Sequence, residues 1–170
     1  MRYFKPAFAL LSALALPLLS VVLAAPAHAV PVPSGTEYCA VLISNQLDRD
    51  GSSKVLHRSC SSISAEEARR ELDATTTLSS TQLMNWYEHA DFGGSVTVIY
   101  GDSGGCDGAG YRVQPNSYWK TPLSSIKGFN QCNRIRLYNI ALSQSAAYYL
   151  PLSNLGYYND NVGLTQVYHF

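Results

Sequence analysis

Three kinds of side chain in this sequence could carry chemistry: a serine flanked by glycines, a few histidines and a group of glutamates. The serine lies in Gly101-Asp102-Ser103-Gly104-Gly105. Glycines on both sides of a serine let backbone amides gather around a developing oxyanion. A nucleophilic serine also needs a base within hydrogen-bond reach, oriented by a third group. His28 falls within residues 1–29, an expected export signal, which leaves His57, His89 and His169. None lies one or two helical turns from another, and none sits beside a carboxylate pair. Glu66, Glu67 and Glu71 read as surface and capping charges of a short helix, not as a paired acid and base. The cysteines, Cys39, Cys60, Cys106 and Cys132, have no CxxC spacing and no neighbouring histidine, which argues against zinc. The expectation is a chain without catalytic residues, not an enzyme.

The glycine-serine string does resemble the nucleophile turn of chymotrypsin-like serine proteases. Those enzymes need two barrels and a distant upstream histidine, and only about 70 residues of an exported chain precede Ser103. His57 sits alone on a predicted strand. A loop between strands is the expected role of Gly101 to Gly110.

The elements that must position these residues begin with an address. Residues 1–29 read as a signal peptide: Arg2 and Lys5, an apolar run from Ala7 to Ala24, and the small-x-small site Ala27-His28-Ala29. Pro26, Pro31 and Pro33 weigh against a membrane anchor. Removing this segment leaves 141 residues, one domain's worth, with 10 basic and 12 acidic side chains. That balance excludes a strong electrostatic attraction to nucleic acid or to an anionic membrane. The expected product is secreted, extracellular and monomeric. Four cysteines in an oxidising compartment imply two disulfides, for which three connectivities exist.

Residues 30–36 form a Pro-rich leader. Residues 37–74 follow as an N-terminal piece of two strands and a helix. Glu37 to Ser44 and Lys54 to Cys60 flank a turn with Asp50-Gly51, a hairpin signal. Folding about Arg49 and Asp50 places Cys39 opposite Cys60, so the pairing expected is Cys39–Cys60 and Cys106–Cys132. Each bridge closes a loop of a few dozen residues and contributes roughly 3 kcal/mol in the chain-entropy account. Asp48-Arg49-Asp50-Gly51 only loosely matches the start of an EF-hand loop and lacks its flanking helices. Ser64-Ala65-Glu66-Glu67 is a capping box that starts a helix over 65–72, with Ile63 at the hydrophobic-staple position and Ala65, Ala68 and Leu72 inward. A hairpin and a two-turn helix hold no core alone, so this piece should pack on the rest.

From Leu83 onward short strands alternate with Gly and Ser turns, a mostly β pattern. At its head stands Tyr87-Glu88-His89-Ala90-Asp91-Phe92-Gly93-Gly94. An aromatic, four spacers, a second aromatic, one spacer and a glycine describe a strand running into a folded hairpin. Tyr87 lies over the turn, Phe92 plugs it and Gly94 takes a backbone shape closed to residues with a Cβ. With Ser124-Ser125-Ile126 downstream, this spacing resembles the hallmark of the βγ-crystallin superfamily. The resemblance implies two Greek-key motifs in one sandwich over residues 83–170. Motif one covers 83–128. A degenerate motif two covers 133–170, where Ser143 and Ser145 stand at the positions of the second aromatic and the glycine.

The resemblance also implies a metal. Calcium-binding members of the family carry an Asn/Asp pair and a Ser/Thr-Ser pair before the last strand, which supply hard oxygen ligands. Motif one has Lys120, Thr121, Pro122, Leu123, Ser124 and Ser125 there. Motif two has Asn159 and Asp160, then Gly163 and Leu164 in place of the hydroxyls. The remaining candidate is a shared, weak calcium site of Asn159 or Asp160 with Ser124; no other cofactor is implied. The doublets Tyr148-Tyr149 and Tyr157-Tyr158, with Trp86 and Trp119, suggest rings for binding a sugar or a protein, half of each doublet being core. Small secreted bacterial proteins of this appearance include proteinase inhibitors of the Streptomyces metalloproteinase-inhibitor kind. The reading is therefore a secreted, non-enzymatic structural or binding module. An inhibitor of an extracellular protease, through the Cys106–Cys132 loop, is the alternative. A killer-toxin-like or carbohydrate-binding role is more distant.

Overall fold

A computed structural model describes residues 36–170, so the expected signal peptide and nearly all of the leader lie outside the described residues. Strand β1 (Tyr38–Leu47) and strand β2 (Ser53–Ser61) form the expected antiparallel hairpin. It closes where the Asp48 amide donates to the Ser52 carbonyl and the Gly51 amide to the Asp48 carbonyl. Cys39 stands opposite Cys60, and the two are bridged.

Helix α1 (Ala65–Thr75) starts where Ser64 Oγ accepts the Glu67 amide at 3.1 Å. It runs a turn further than its expected end at Leu72, and the Thr75 hydroxyl donates to the Leu72 carbonyl at 2.8 Å, occupying a free end group. The hydrophobic staple does not form. Ile63 is 75% exposed, because its would-be partner Ala68 is buried against β1 instead.

Strands β3 (Thr81–His89) and β4 (Gly93–Gly101) pair antiparallel across the hallmark turn. Strand β5 (Tyr111–Val113) and strand β6 (Ser125–Gly128) follow, then β7 (Arg134–Tyr138), β8 (Ser145–Tyr149) and β9 (Leu164–Tyr168). The first sheet has the order β2-β1-β4-β3-β6, the second β5-β9-β7-β8.

Two features of this order differ from the expectation. The N-terminal hairpin does not merely pack on the domain. It is part of the first sheet, with β1 pairing parallel to β4 from Tyr38↔Val96 to Ile43↔Gly101. Without β1, the apolar strand β4 would present an open row of amides and carbonyls. The second half also falls short of four strands. It contributes β7, β8 and β9, and of its remaining chain Leu152 forms an isolated β-bridge with Ile126 of the first sheet.

One buried apolar cluster draws on both sheets, with Met84, Trp86, Ile99 and Ile126 from the first and Tyr111, Ile135, Leu137 and Val167 from the second. A smaller cluster, Ala40, Leu42, Ala68 and Leu72, lies between the first sheet and α1. Each face of β1 is thus buried, which is why Cys39 to Ile43 reads as an unbroken apolar run. The second disulfide, Cys106–Cys132, ties the loop after β4 to the turn before β7. No described helix is long and apolar enough to cross a membrane.

Candidate functional site

The hallmark turn has the geometry its residue types dictate. The Tyr87 and Phe92 rings meet edge to face at 5.5 Å, and Lys127 Nζ caps Phe92 at 4.1 Å from its centroid. Gly94 has φ +77°, and a Cβ there would come within 2.9 Å of Glu88 Cβ. Asp91 and Phe92 also have positive φ, 57° and 66°, an uncommon state for residues with side chains. Ser125 compensates from across the sheet: its hydroxyl accepts the Phe92 amide at 3.0 Å and donates to the His89 carbonyl at 2.6 Å. In the second half a different residue does this work. Asn139 Oδ1 accepts the amides of Ser143 and Gln144, at 2.9 and 3.1 Å, and Nδ2 donates to Ser143 Oγ. A polar staple replaces the aromatic lid, a substitution no spacing rule for aromatics could reveal.

The residues singled out for reaction chemistry are scattered. Ser103 Oγ donates to Asp102 Oδ1 at 2.7 Å, and Asp102 in turn accepts the Asn45 amide. No histidine is among their hydrogen-bond partners. His57 faces the helix side of the sheet opposite Leu42, His89 is exposed beside the hallmark turn, and His169 bonds the Gln131 carbonyl at 3.0 Å. Among the described residues, the one cluster of three metal-type side chains is Glu37, Cys39 and Cys60. Its sulfurs are bonded to each other, so it offers no thiolate.

The chain segments that carry the expected calcium residues run side by side through backbone contacts. The Asp160 amide approaches the Leu123 carbonyl at 3.4 Å, and the Leu155 amide donates to the Ser124 carbonyl at 3.1 Å. Their side chains, however, are engaged locally. Asn159 Nδ2 donates to Asp160 Oδ2 at 2.8 Å, and Ser124 Oγ donates to the Pro122 carbonyl at 3.1 Å. Ser125 is committed to the hallmark turn. One carboxylate among partly spent oxygens fits a high-affinity calcium site poorly.

The aromatic residues divide sharply. Trp86 and Trp119 are buried, meeting at 6.2 Å, which corrects their candidacy as surface rings. Each tyrosine doublet has one exposed ring, Tyr149 and Tyr157. The Arg134 guanidinium covers Tyr149 at 4.0 Å and reaches toward Phe170 at 5.6 Å. A polar recess of about 630 Å³ beside the hallmark turn gathers Glu37, Glu88, His89 and Tyr118 around Ser95. The Ser95 amide donates to Glu88 Oε2 at 3.0 Å, and this bond holds the Glu88 carboxyl below its ordinary range. Burial pushes the Tyr118 hydroxyl up. The Ser95 hydroxyl itself is buried and accepts from the Glu37 amide at 3.1 Å and the Tyr118 hydroxyl at 3.4 Å, so it is no free nucleophile.

An apolar cleft of about 90 Å³ opens further along the same face of the first sheet, and no local sequence pattern announces it. Strand register builds its floor. Cys39 and Trp86 flank Thr97 in one row, while Arg58, Val41, Ile99 and Met84 line up in the next. The β2 bulge, where Leu42 pairs with His57 but Ile43 with Val55, turns both Val55 and Arg58 toward the cleft. Val113, Gln114 and Asn116 close it from β5 and the following loop, and the Arg112 amide bonded to Ser53 Oγ at 3.1 Å ties the two edges together. Trp86 Nε1 and Thr97 Oγ1 are both buried without a hydrogen-bond partner. Their residues are 3% and 1% exposed.

No family model, curated protein or solved structure matches this chain. Functional reading therefore rests on the chain's own geometry. The cleft and the Ser95 recess escaped the sequence because their residues come from strands far apart in the chain, joined only by the parallel pairing of β1 with β4.

Proposed function

We propose that this chain is an exported, non-enzymatic protein of the βγ-crystallin kind, a rigid Greek-key module that binds or supports other molecules outside the cell. One observation carries the reading: the reciprocal exchange between the two halves. Strand β5 belongs to the first half but pairs with β9 of the second, while Leu152 of the second half bridges back to Ile126 of the first. Exchange of that kind is the arrangement expected of two interlocked Greek keys with their apolar faces together, and so supports the reading. The Tyr87, Phe92, Gly94 and Ser125 constellation supports the same reading. Two disulfides suit an oxidising compartment, in agreement with export.

A second reading has its own support. The loop from Gly101 to Gly110 is pinned by Cys106–Cys132, by Asp107 Oδ1 accepting the Ala109 and Gly110 amides, and by the Tyr111 hydroxyl on the Gly104 carbonyl. A loop so held resists opening into an extended substrate, the quality an inhibitor of extracellular proteases needs. Incubation with secreted metallo- and serine proteases separates the two readings. Unchanged protease activity beside an intact protein supports the binding or structural module. Stoichiometric loss of protease activity replaces it with the inhibitor.

A further inference from the structure

The cleft under β1 and β2 carries an assignment that stands apart from the family reading. We propose that it binds a small monocarboxylic acid with an apolar body of one ring or a short branched chain. The chemistry of its walls selects that class. Val41, Val55, Ile99 and Val113 supply apolar surface, and Val55 remains 55% exposed at the opening. The polar groups are mainly donors. Arg58 stands at the mouth with no ion-pair or hydrogen-bond partner among the described residues. The indole of Trp86 can only donate, and its N–H is buried and unpaired, as is the Thr97 hydroxyl. Asn116 spends Oδ1 on the Trp119 amide at 3.0 Å, which leaves its NH₂ group free to donate.

An apolar slot lined by two residues with unpaired buried donors, and with an unpaired guanidinium at its entrance, complements a carboxylate attached to a hydrocarbon. Buried donors without partners are uncommon in folded proteins, and a ligand oxygen is one remedy for them. Size and charge set the limits. A volume of about 90 Å³ admits one small apolar group. Past Val55 and Val113 the groove continues to Asp48, Asp50 and Lys54, where two carboxylates repel a second anionic end. Dicarboxylates are thereby disfavoured.

The test follows the two indole N–H resonances of the purified protein by ¹H–¹⁵N NMR, with Trp86→Phe assigning the peak of Trp86. Phenylacetate and isovalerate should shift that peak saturably and leave the Trp119 peak nearly still. Acetate, which lacks the apolar body, should do nothing. Benzyl alcohol, which lacks the charge, should bind roughly tenfold more weakly than phenylacetate. Arg58→Gln, a change at an exposed position, should weaken phenylacetate by a similar factor, and Thr97→Val, which keeps the shape, should weaken it too. N-acetylphenylalanine presents the same chemistry as a protein C-terminus and should be excluded by size. The proposal is overturned if neither acid gives a saturable shift or if benzyl alcohol matches phenylacetate. It also fails if Arg58→Gln binds as wild type, or if N-acetylphenylalanine binds more tightly than the free acids.

Discussion

The Ser125 hydroxyl lies 2.6 Å from the carbonyl oxygen of His89, a residue thirty-six positions earlier. The Ser125 hydroxyl oxygen also accepts the amide of Phe92, whose φ of 66° would otherwise be hard to hold. Ser125 is fully buried, and Ser125→Ala removes the partner of both part-buried backbone groups. The expected loss is about 1–3 kcal/mol of unfolding free energy, read as a lower urea midpoint at unchanged m-value. A loss below the error of the measurement would mean the turn is held by its aromatic pair alone.

Gly94→Ala tests the other anchor of this turn. The new Cβ meets Glu88 Cβ and His89 Cδ2 at 2.9 Å and must also accept φ +77°. Left-handed backbone alone costs roughly 1–2 kcal/mol for a residue with a Cβ, so the sum should exceed that. Gly110→Ala should be worse, because its Cβ would strike the Val167 carbonyl, which is backbone and cannot swing aside. Thermal unfolding of the two variants checks the ranking.

Removing either disulfide by paired alanines should cost about 3 kcal/mol, since the bridged residues are separated by a similar 21 and 26 positions. Their accessibility differs more. Cys60 is exposed, whereas Cys106 and Cys132 are both buried. Under limiting reductant Cys39–Cys60 should therefore open first, followed by mass spectrometry of alkylated peptides.

Glu88 gives the fold a pH dependence. The Ser95 amide holds its carboxyl below the ordinary value in the folded state. A depressed folded pKa adds stability that is present above the unfolded value and is lost as pH falls through the folded one. Urea midpoints measured from about pH 6 down to about pH 3 should drop, and Glu88→Gln should flatten that part of the decline. An identical slope in the variant would place the acid sensitivity elsewhere.

Calcium should bind no more tightly than roughly 1 mM, because Asp160 offers one carboxylate and Ser124 is bonded to Pro122. Calorimetric titration of the wild type against Asp160→Ala measures this. Micromolar affinity abolished by the substitution would show that Asn159, Asp160 and Ser124 rearrange into a complete site.

What the sequence determined by itself was local. The Asp50-Gly51 turn and simple strand parity place Cys39 against Cys60, Ser64 caps the helix that follows it, and the Tyr87-to-Gly94 spacing is satisfied by one tight turn. These are short-range constraints of backbone angle and side-chain reach, readable wherever the chain is contiguous. The tertiary structure alone decided the rest. Parallel pairing of β1 with β4 joins residues some sixty positions apart, and no local pattern encodes it. The bulge between Leu42 and Ile43 on one strand and His57 and Val55 on the other overrides the alternation that would have put Val55 and Arg58 on opposite faces. Asn139 took over a turn whose aromatics are missing, because amide oxygens can satisfy the same backbone donors. The cleft exists only because those long-range choices bring Arg58, Thr97 and Trp86 to one side of one sheet.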